Sequence, residues 1–158
     1  MNPGPWSGTT GCDCRDRTEA ARDPFDGLAV TAPPTHLTPD QHAALTYLTA
    51  LGPGQQALLH GVTGSGKTLV YLEYVRQAIE SGRGAIILVP EIALTPQTVS
   101  RVRGMFGDAV AVLHSGLSDG ERADAGRSLR RGERRAAVGA RSAVFAPVRD
   151  LGVVGLEE

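Results

Sequence analysis

The sequence contains few cysteines and no long apolar segment. Cysteine occurs only at Cys12 and Cys14. Without two further ligands they do not form a structural zinc site, so we expect unpaired thiols. No run approaches the roughly 20 apolar residues that cross a bilayer, and the amino terminus has no signal-peptide pattern. We therefore expect a cytoplasmic protein with no membrane association.

A strong net charge and lysine are also nearly absent. The formal net charge is −1, so composition alone predicts no nucleic-acid partner, and any such site must come from local arrangement. Of the 16 basic residues, only Lys67 is lysine. Arginine cannot replace lysine where a compact ammonium must fit among phosphates. The single lysine therefore marks a candidate functional position.

The 158 residues are enough for one domain with a hydrophobic core. Residues 1 to 36 carry Gly, Pro, Thr and Asp with little periodic apolar spacing, which predicts a disordered leader. Thr38 followed by Pro39 predicts the start of a first helix. The folded domain is expected to cover residues 37 to 158.

Apolar and amphipathic segments alternate after Gly54. Buried strands are predicted at residues 57 to 60, 85 to 90, 109 to 114, 136 to 140 and 152 to 156. Helices are predicted near residues 67 to 81, 95 to 106 and 118 to 131. This order predicts an α/β fold with a mostly parallel sheet covered by helices, whose ligands bind at the carboxyl ends of the strands.

The segment GVTGSGKT, residues 61 to 68, fits the phosphate-binding pattern G-x-x-x-x-G-K-[ST]. Its glycines would let backbone N–H groups surround a phosphate, while Lys67 reaches the β- and γ-phosphates and Thr68 binds Mg²⁺. The alternative is a glycine turn that only connects strand to helix. The pattern predicts ATP and Mg²⁺ as ligands, with these cofactor-binding residues in the segment: Gly61, Thr63, Gly64, Ser65, Gly66, Lys67 and Thr68.

Four further stretches resemble one helicase family. They are LTPDQ (37 to 41), LVPEIALTPQ (88 to 97), LHSGLSDGER (113 to 122) and GARSAVFAPVRDLGVV (139 to 154). In this order around the P-loop they resemble the first motor lobe of the PriA family, or primosomal protein N′, which are superfamily 2 ATP-dependent DNA helicases of replication restart. The resemblance implies a RecA-like lobe, single-stranded or forked DNA as substrate, and primosome proteins as partners.

The same resemblance implies roles for residues outside the P-loop. Gln41 takes the position of a glutamine that reads adenine, and the alternative is an exposed helix residue. Thr95, Arg141 and Ser142 take positions that contact the DNA backbone. Thr95 is also a candidate N-cap, a role compatible with DNA contact. Ala140 stands where the family has threonine, so one hydroxyl contact is missing.

Two other polar features favour structural interpretations. His114 follows a predicted strand, where a histidine more often forms structural hydrogen bonds than contacts a ligand. The arginine-rich segment at residues 127 to 135 could follow phosphates, but a solvated helix end with an interleaved glutamate is the simpler interpretation.

The last two residues complete the resemblance only in part. Glu157 falls on the aspartate that holds Mg²⁺ in the family, and Glu158 falls on the glutamate that polarises the attacking water. Lys67 and Glu158 are therefore the implied catalytic residues. The family continues with a histidine, a second lobe and a zinc insertion that this sequence does not contain. We expect a lobe truncated at the Walker B strand, with weak or no helicase activity alone.

Two other function classes stay open at this point. One is a non-catalytic remnant that binds nucleotide or DNA, and the other is a small-molecule P-loop kinase, since a P-loop fixes the ligand class but not the activity. The sequence leaves the unwinding polarity, the partner proteins and the oligomeric state undetermined.

Overall fold

The structure is a computed structural model that describes residues 36 to 157. Its helices are α1 (Pro39–Thr49), α2 (Lys67–Glu80), α3 (Pro96–Phe106) and α4 (Asp119–Arg131). Its strands are β1 (Gly84–Leu88), β2 (Val110–Leu113), β3 (Ala136–Gly139) and β4 (Leu151–Leu156). Short 3-10 helices occupy Glu91–Ala93, Gly107–Ala109 and Arg141–Phe145.

The four strands form one parallel sheet in the order β2-β3-β1-β4. β1 is an inner strand, where Ile86 is opposite Ala137 of β3 and Val154 of β4. Helix α3 connects β1 to β2, and α4 connects β2 to β3, whereas the segment that contains the 3-10 helix Arg141–Phe145 connects β3 to β4. The predicted α/β class, four of the five predicted strands and the three predicted helices are confirmed, and α3 and α4 are crossover helices between parallel strands.

The prediction of a strand at residues 57 to 60 is wrong. These residues have no regular secondary structure, and among the described residues they form no ladder with β4. Leu59 packs against Leu45, Leu48 and Val70, while Leu58 is 90% exposed. An apolar run becomes a strand only when a neighbouring strand accepts its backbone hydrogen bonds. The prediction was wrong because apolar composition does not show whether a neighbouring strand is available.

The hydrophobic core lies on both faces of the sheet because successive residues of a strand point in opposite directions. On one face, Ile87 packs with Leu72 of α2 and Val102 of α3. On the other face, Ile86 packs with Leu129 of α4. The sheet is thus covered by helices on both sides, which fixes the loops at the carboxyl ends of its strands.

Helix α1 packs against α2 and begins at a capping box. The Thr38 hydroxyl accepts a hydrogen bond from the backbone N–H of Gln41, and the Gln41 side chain accepts one from the backbone N–H of Thr38. Such reciprocal bonds satisfy two N–H groups that a helix start leaves free. The predicted start at Thr38 and Pro39 is confirmed.

Two predictions concern residues that the structure does not describe, and one concerns membrane spans. The predicted leader, residues 1 to 36, lies outside them except for His36, as does Glu158. In the part of the chain that the structure describes, no helix is both long and apolar enough to cross a membrane.

Truncation of the core should destabilise the domain strongly. Leu72 is fully buried between α2 and the sheet, so Leu72→Ala is expected to lower the free energy of unfolding by about 2 to 5 kcal/mol through lost burial and a cavity. Urea unfolding followed by circular dichroism measures this change. The matched control is Leu58→Ala, because Leu58 is 90% exposed; an equal loss in both variants would contradict the described core.

Candidate functional site

The P-loop segment, residues 61 to 68, curls where two glycines adopt left-handed backbone conformations. Gly64 has φ +83° and Gly66 has φ +81°. Other residues rarely adopt such angles, and glycine does so without steric cost. The turn is closed by a hydrogen bond from the backbone N–H of Ser65 to the Val62 carbonyl, at 3.2 Å. The glycine spacing therefore shapes a tight loop directly before α2.

Lys67 extends its ammonium group back over this loop. Its Nζ donates to the carbonyl oxygens of Gly61 and Val62, at 2.8 and 3.0 Å. Both acceptors are neutral, and Lys67 forms no salt bridge with a carboxylate among the described residues. The single lysine thus places a positive charge inside the loop, and no described carboxylate forms an ion pair with it.

The amino terminus of α2 faces the same loop. Its N-cap is Gly66, and no described side chain caps this end. A helix start carries unsatisfied N–H groups and a partial positive charge, both of which favour an anion. The loop, the lysine and the helix end therefore form a local positive region in a chain whose overall charge is slightly negative.

Two residues on α2 hold the Glu157 carboxylate beside the loop. Thr68 Oγ1 donates to Glu157 Oε1 at 3.0 Å, and Tyr71 Oη donates to Glu157 Oε2 at 2.9 Å. Glu157 follows β4, and its backbone N–H donates to the carbonyl of Leu88 at 2.9 Å. The structure thus brings together Thr68 and Glu157, the two residues predicted for the metal site although they lie far apart in sequence.

The donor set at this point fits Mg²⁺ bound in the manner of a P-loop. In the described chain, no group of three or more His, Cys, Asp or Glu side chains could hold a metal ion. A P-loop site needs fewer protein ligands, because Mg²⁺ keeps waters and binds phosphate oxygens. One hydroxyl from Thr68 and one carboxylate from Glu157 meet that requirement.

Tyr71 is a site residue that the sequence analysis missed. Its ring packs against the main core, and burial together with the adjacent Glu157 carboxylate raises the pKa of its phenol well above the ordinary value. The hydroxyl therefore remains a hydrogen-bond donor at neutral pH. Its position three residues after Thr68 was the available signal, because residues spaced by three share one face of a helix.

Gln41 joins α1 to the P-loop. Its Oε1 accepts from the Thr38 backbone N–H and its Nε2 donates to the carbonyl of Ser65, both at 2.9 Å. The contact of Gln41 with Ser65 was also missed. The T-x-x-Q spacing from Thr38 indicates the capping box, but it gives no signal for the bond to Ser65. The predicted adenine contact of Gln41 stays a prediction.

The residues predicted to contact DNA follow neighbouring strands. Thr95 caps α3 by accepting a hydrogen bond from the backbone N–H of Thr98 at 3.3 Å, so its predicted capping role is confirmed. Arg141 and Ser142 begin the 3-10 helix after β3, and their side chains are exposed. Because β1 and β3 are parallel neighbours, both loops lie at the carboxyl edge that also carries Glu157.

The two features interpreted as structural behave accordingly where the structure describes them. His114 Nδ1 accepts from the backbone N–H of Gly116 at 3.2 Å. Arg127 pairs with Asp124, and Arg131 lies 3.7 Å from Glu133. These contacts agree with a strand-end histidine and a solvated helix end.

Comparison with known proteins decides the family. The pattern that defines the DEAD/DEAH box helicases matches residues 38–151, most of the chain. The chain belongs to the DEAD/DEAH box helicase family. The family match and the parallel sheet together confirm the predicted RecA-like fold.

Several curated relatives carry the name Replication restart protein PriA. The chain is 47% identical to that of Bacillus subtilis over 144 residues, which cover 89% of this chain and 18% of the relative. It is 48% identical to that of Synechocystis over 122 residues, which cover 77% of this chain and 15% of the relative. The predicted resemblance to PriA is confirmed, and the chain spans less than a fifth of the length of these relatives.

Substitution of Gly66 should strain the P-loop of this DEAD/DEAH box domain. A Cβ at this position would lie 2.3 Å from Gln41 Nε2, and φ is +81°. We expect Gly66→Ala to lower the free energy of unfolding by at least about 1 to 2 kcal/mol, the usual cost of a left-handed non-glycine residue. Urea unfolding measures the change.

Gly126→Ala is the matched control, because Gly126 lies in α4 and its added Cβ would meet nothing within 4 Å. This variant is expected to gain roughly 0.5 to 1 kcal/mol from the higher helix propensity of alanine. Gln41→Ala combined with Gly66→Ala should cost less than the sum of the single changes, because it removes the clash. Equal stabilities of Gly66→Ala and wild type would refute the described loop conformation.

Proposed function

We propose that this chain is the ATP-binding lobe of a PriA-like DNA helicase, which in the complete protein couples ATP hydrolysis to DNA unwinding in replication restart. The observation that carries the proposal is the 3.0 Å hydrogen bond between Thr68 and Glu157. It joins the P-loop hydroxyl to a strand-end carboxylate, and both are oxygen ligands of the kind that Mg²⁺ prefers. The family match and the PriA relatives support the helicase class.

Nucleotide binding would be driven by the positive region of the loop. Lys67 would exchange the carbonyls of Gly61 and Val62 for phosphate oxygens, whose negative charge attracts the ammonium group more strongly than a neutral carbonyl does. Backbone N–H groups from Thr63 to Thr68 would surround the β-phosphate. The positive end of α2 adds to this attraction.

Thr68 and Glu157 would hold Mg²⁺ on the phosphates. The bound ion would neutralise negative charge that develops on the phosphoryl group during its transfer. Glu157 is kept in place by its backbone bond to Leu88 and by its two hydroxyl partners on α2. Glu158, which lies outside the described residues, is the proposed base that polarises the attacking water.

Gln41 keeps hydrogen-bonding capacity for adenine. A carboxamide has two N–H donors and two acceptor lone pairs, and the structure uses one donor for Ser65 and one acceptor for Thr38. The remaining N–H and lone pair match the paired acceptor and donor of an adenine edge. The carboxamide therefore has enough donors and acceptors for an adenine contact beside its bonds to Thr38 and Ser65.

Single-stranded or forked DNA would bind across the loops that follow β1 and β3. Thr95 offers a hydroxyl and the start of α3, and Arg141 and Ser142 offer an exposed guanidinium and hydroxyl. Such groups contact phosphates and fix the register of a strand without reading its sequence. Primosome proteins are proposed as partners of the complete protein, and a cytoplasmic location stays a prediction.

A non-catalytic nucleotide- or DNA-binding domain is the second candidate. Glu157 is one methylene longer than the aspartate that the resemblance implies at this position, so the carboxylate could hold the ion without correct alignment for hydrolysis. We expect the isolated chain to have weak or no helicase activity. The helicase family match supports either candidate over a small-molecule kinase.

The single lysine allows a direct test of nucleotide binding. We expect MgATP to protect Lys67 from an amine-reactive acetylating reagent, because phosphate contact would bury its ammonium group. Peptide mass spectrometry measures the rate of modification, and the chain's α-amino group is the internal control. Equal rates at Lys67 with and without MgATP would contradict the assigned role.

Removal of this ammonium group should weaken binding as well. Lys67→Ala is expected to reduce ATP affinity by about 10-fold to 100-fold, since a charge-assisted bond contributes roughly 1.5 to 3 kcal/mol. Fluorescence titration measures the affinity, with Arg83→Ala as a control that changes charge equally outside the loop. Phosphate release measured on the same samples separates the two candidates, because turnover no greater than that of Lys67→Ala would leave only the non-catalytic one.

DNA contact by Arg141 makes a distinct prediction. Arg141→Ala is expected to weaken single-stranded DNA binding similarly for different sequences, and to reduce the slope of log affinity against log salt by about 0.7, the value for one released counterion. Fluorescence anisotropy with oligothymidine and a mixed-sequence strand measures both quantities. Arg127→Ala is the control, because Arg127 is exposed on α4 and pairs with Asp124. An unchanged slope in Arg141→Ala would refute the contact.

A further inference from the structure

Glu157 is held by two hydroxyl groups that come from one face of α2. Thr68 and Tyr71 are three residues apart, and each bonds to a different oxygen of the carboxylate, at 3.0 and 2.9 Å. Neither oxygen is shared between the two donors. The two hydrogen bonds therefore fix the orientation of the carboxylate through both of its oxygens.

Core packing holds Tyr71 in place. Its ring packs against a cluster that includes Leu72, Val75 and Val102, all of which are buried. A phenol has two side-chain torsions, and close packing restricts both. By contrast, Glu157 has three side-chain torsions and would rotate readily without its partners. The hydroxyl of Tyr71 thus supplies a fixed point that the flexible glutamate lacks.

We propose that Tyr71 is a positioning residue whose hydroxyl orients the Glu157 carboxylate so that Glu157 and Thr68 together form the protein part of a divalent-cation site. This inference rests on the proposed nucleotide site and assigns to it a residue outside the P-loop pattern. Tyr71 itself does not bind the ion. It acts on the ligand, as hydrogen-bonding groups behind metal ligands commonly do.

The substitution Tyr71→Phe removes one oxygen and keeps the packed ring. Nucleotide binding is measured with a fluorescent ADP analogue while Mg²⁺ is titrated. The expected result is a Mg²⁺ midpoint about 10-fold to 100-fold higher than in wild type, the usual effect of removing such a partner. Affinity for the analogue in EDTA should stay within about 2-fold of wild type, because the phosphate contacts of the loop are kept.

Tyr74→Phe is the matched control. Tyr74 lies on the same helix but packs against the cluster of α1 and α2 that contains Leu45 and Val70. Its Mg²⁺ midpoint should equal that of wild type. A similar increase in both variants, or no increase in Tyr71→Phe, would overturn the proposal. Circular dichroism verifies that both variants are folded.

A double-mutant cycle separates positioning from a general structural effect. Glu157→Ala removes the carboxylate that Tyr71 is proposed to orient, so adding Tyr71→Phe to it should produce no further change in the Mg²⁺ midpoint. A structural role would lower cation affinity in both backgrounds. Additive effects would therefore refute the proposal even if the single Tyr71→Phe variant behaved as expected.

A second measurement distinguishes failure of this proposal from failure of the proposed function. Mn²⁺ binding to the protein without nucleotide is measured by electron paramagnetic resonance. If wild type binds no nucleotide but binds Mn²⁺ more tightly than Tyr71→Phe, the nucleotide function fails and the positioning role stands. If wild type binds nucleotide but Tyr71→Phe equals it in both Mg²⁺ midpoint and Mn²⁺ affinity, the positioning role fails alone. If wild type binds neither nucleotide nor Mn²⁺, both the nucleotide function and the positioning role are refuted.

Discussion

In a parallel sheet, the backbone ladder determines where the side chains beyond each strand point, and here the ladder continues one residue past β4. The N–H of Glu157 donates to the carbonyl of Leu88 at 2.9 Å. A shift in register by one residue would turn each side chain to the opposite face of the sheet. The register between β1 and β4 therefore decides whether a carboxylate reaches α2 at all.

Helix α2 completes this constraint from the other side. Leu72 and Val75 are fully buried against the sheet, so the helix cannot rotate without exposing them. That orientation directs Thr68 and Tyr71 toward the end of β4, where both bond to Glu157. The P-loop precedes the same helix, so a single packed element positions the lysine, the hydroxyl and the carboxylate relative to one another.

Local sequence pattern predicted those features that depend on near neighbours. Helix caps at Thr38 and Thr95, four strands, three helices and the glycine-rich loop follow from residues within a few positions of each other. Three features depended on residues far apart in sequence. The run at 57 to 60 lacked a ladder partner, Gln41 reached Ser65, and Tyr71 reached Glu157. Apolar periodicity carries no information about which distant backbone or side chain completes a hydrogen bond.

The site and the candidate DNA loop are linked through one peptide group. The carbonyl of Leu88 accepts from Glu157, and the N–H of Val89 donates to the carbonyl of Gly139, which is two residues before Arg141. These two atoms belong to the same planar amide, whose partial double bond resists rotation. A tilt of this amide moves both hydrogen bonds together. Since β1 lies between β3 and β4, this one amide connects Glu157, the proposed metal ligand, by two hydrogen bonds to the end of β3 that precedes the proposed DNA contact.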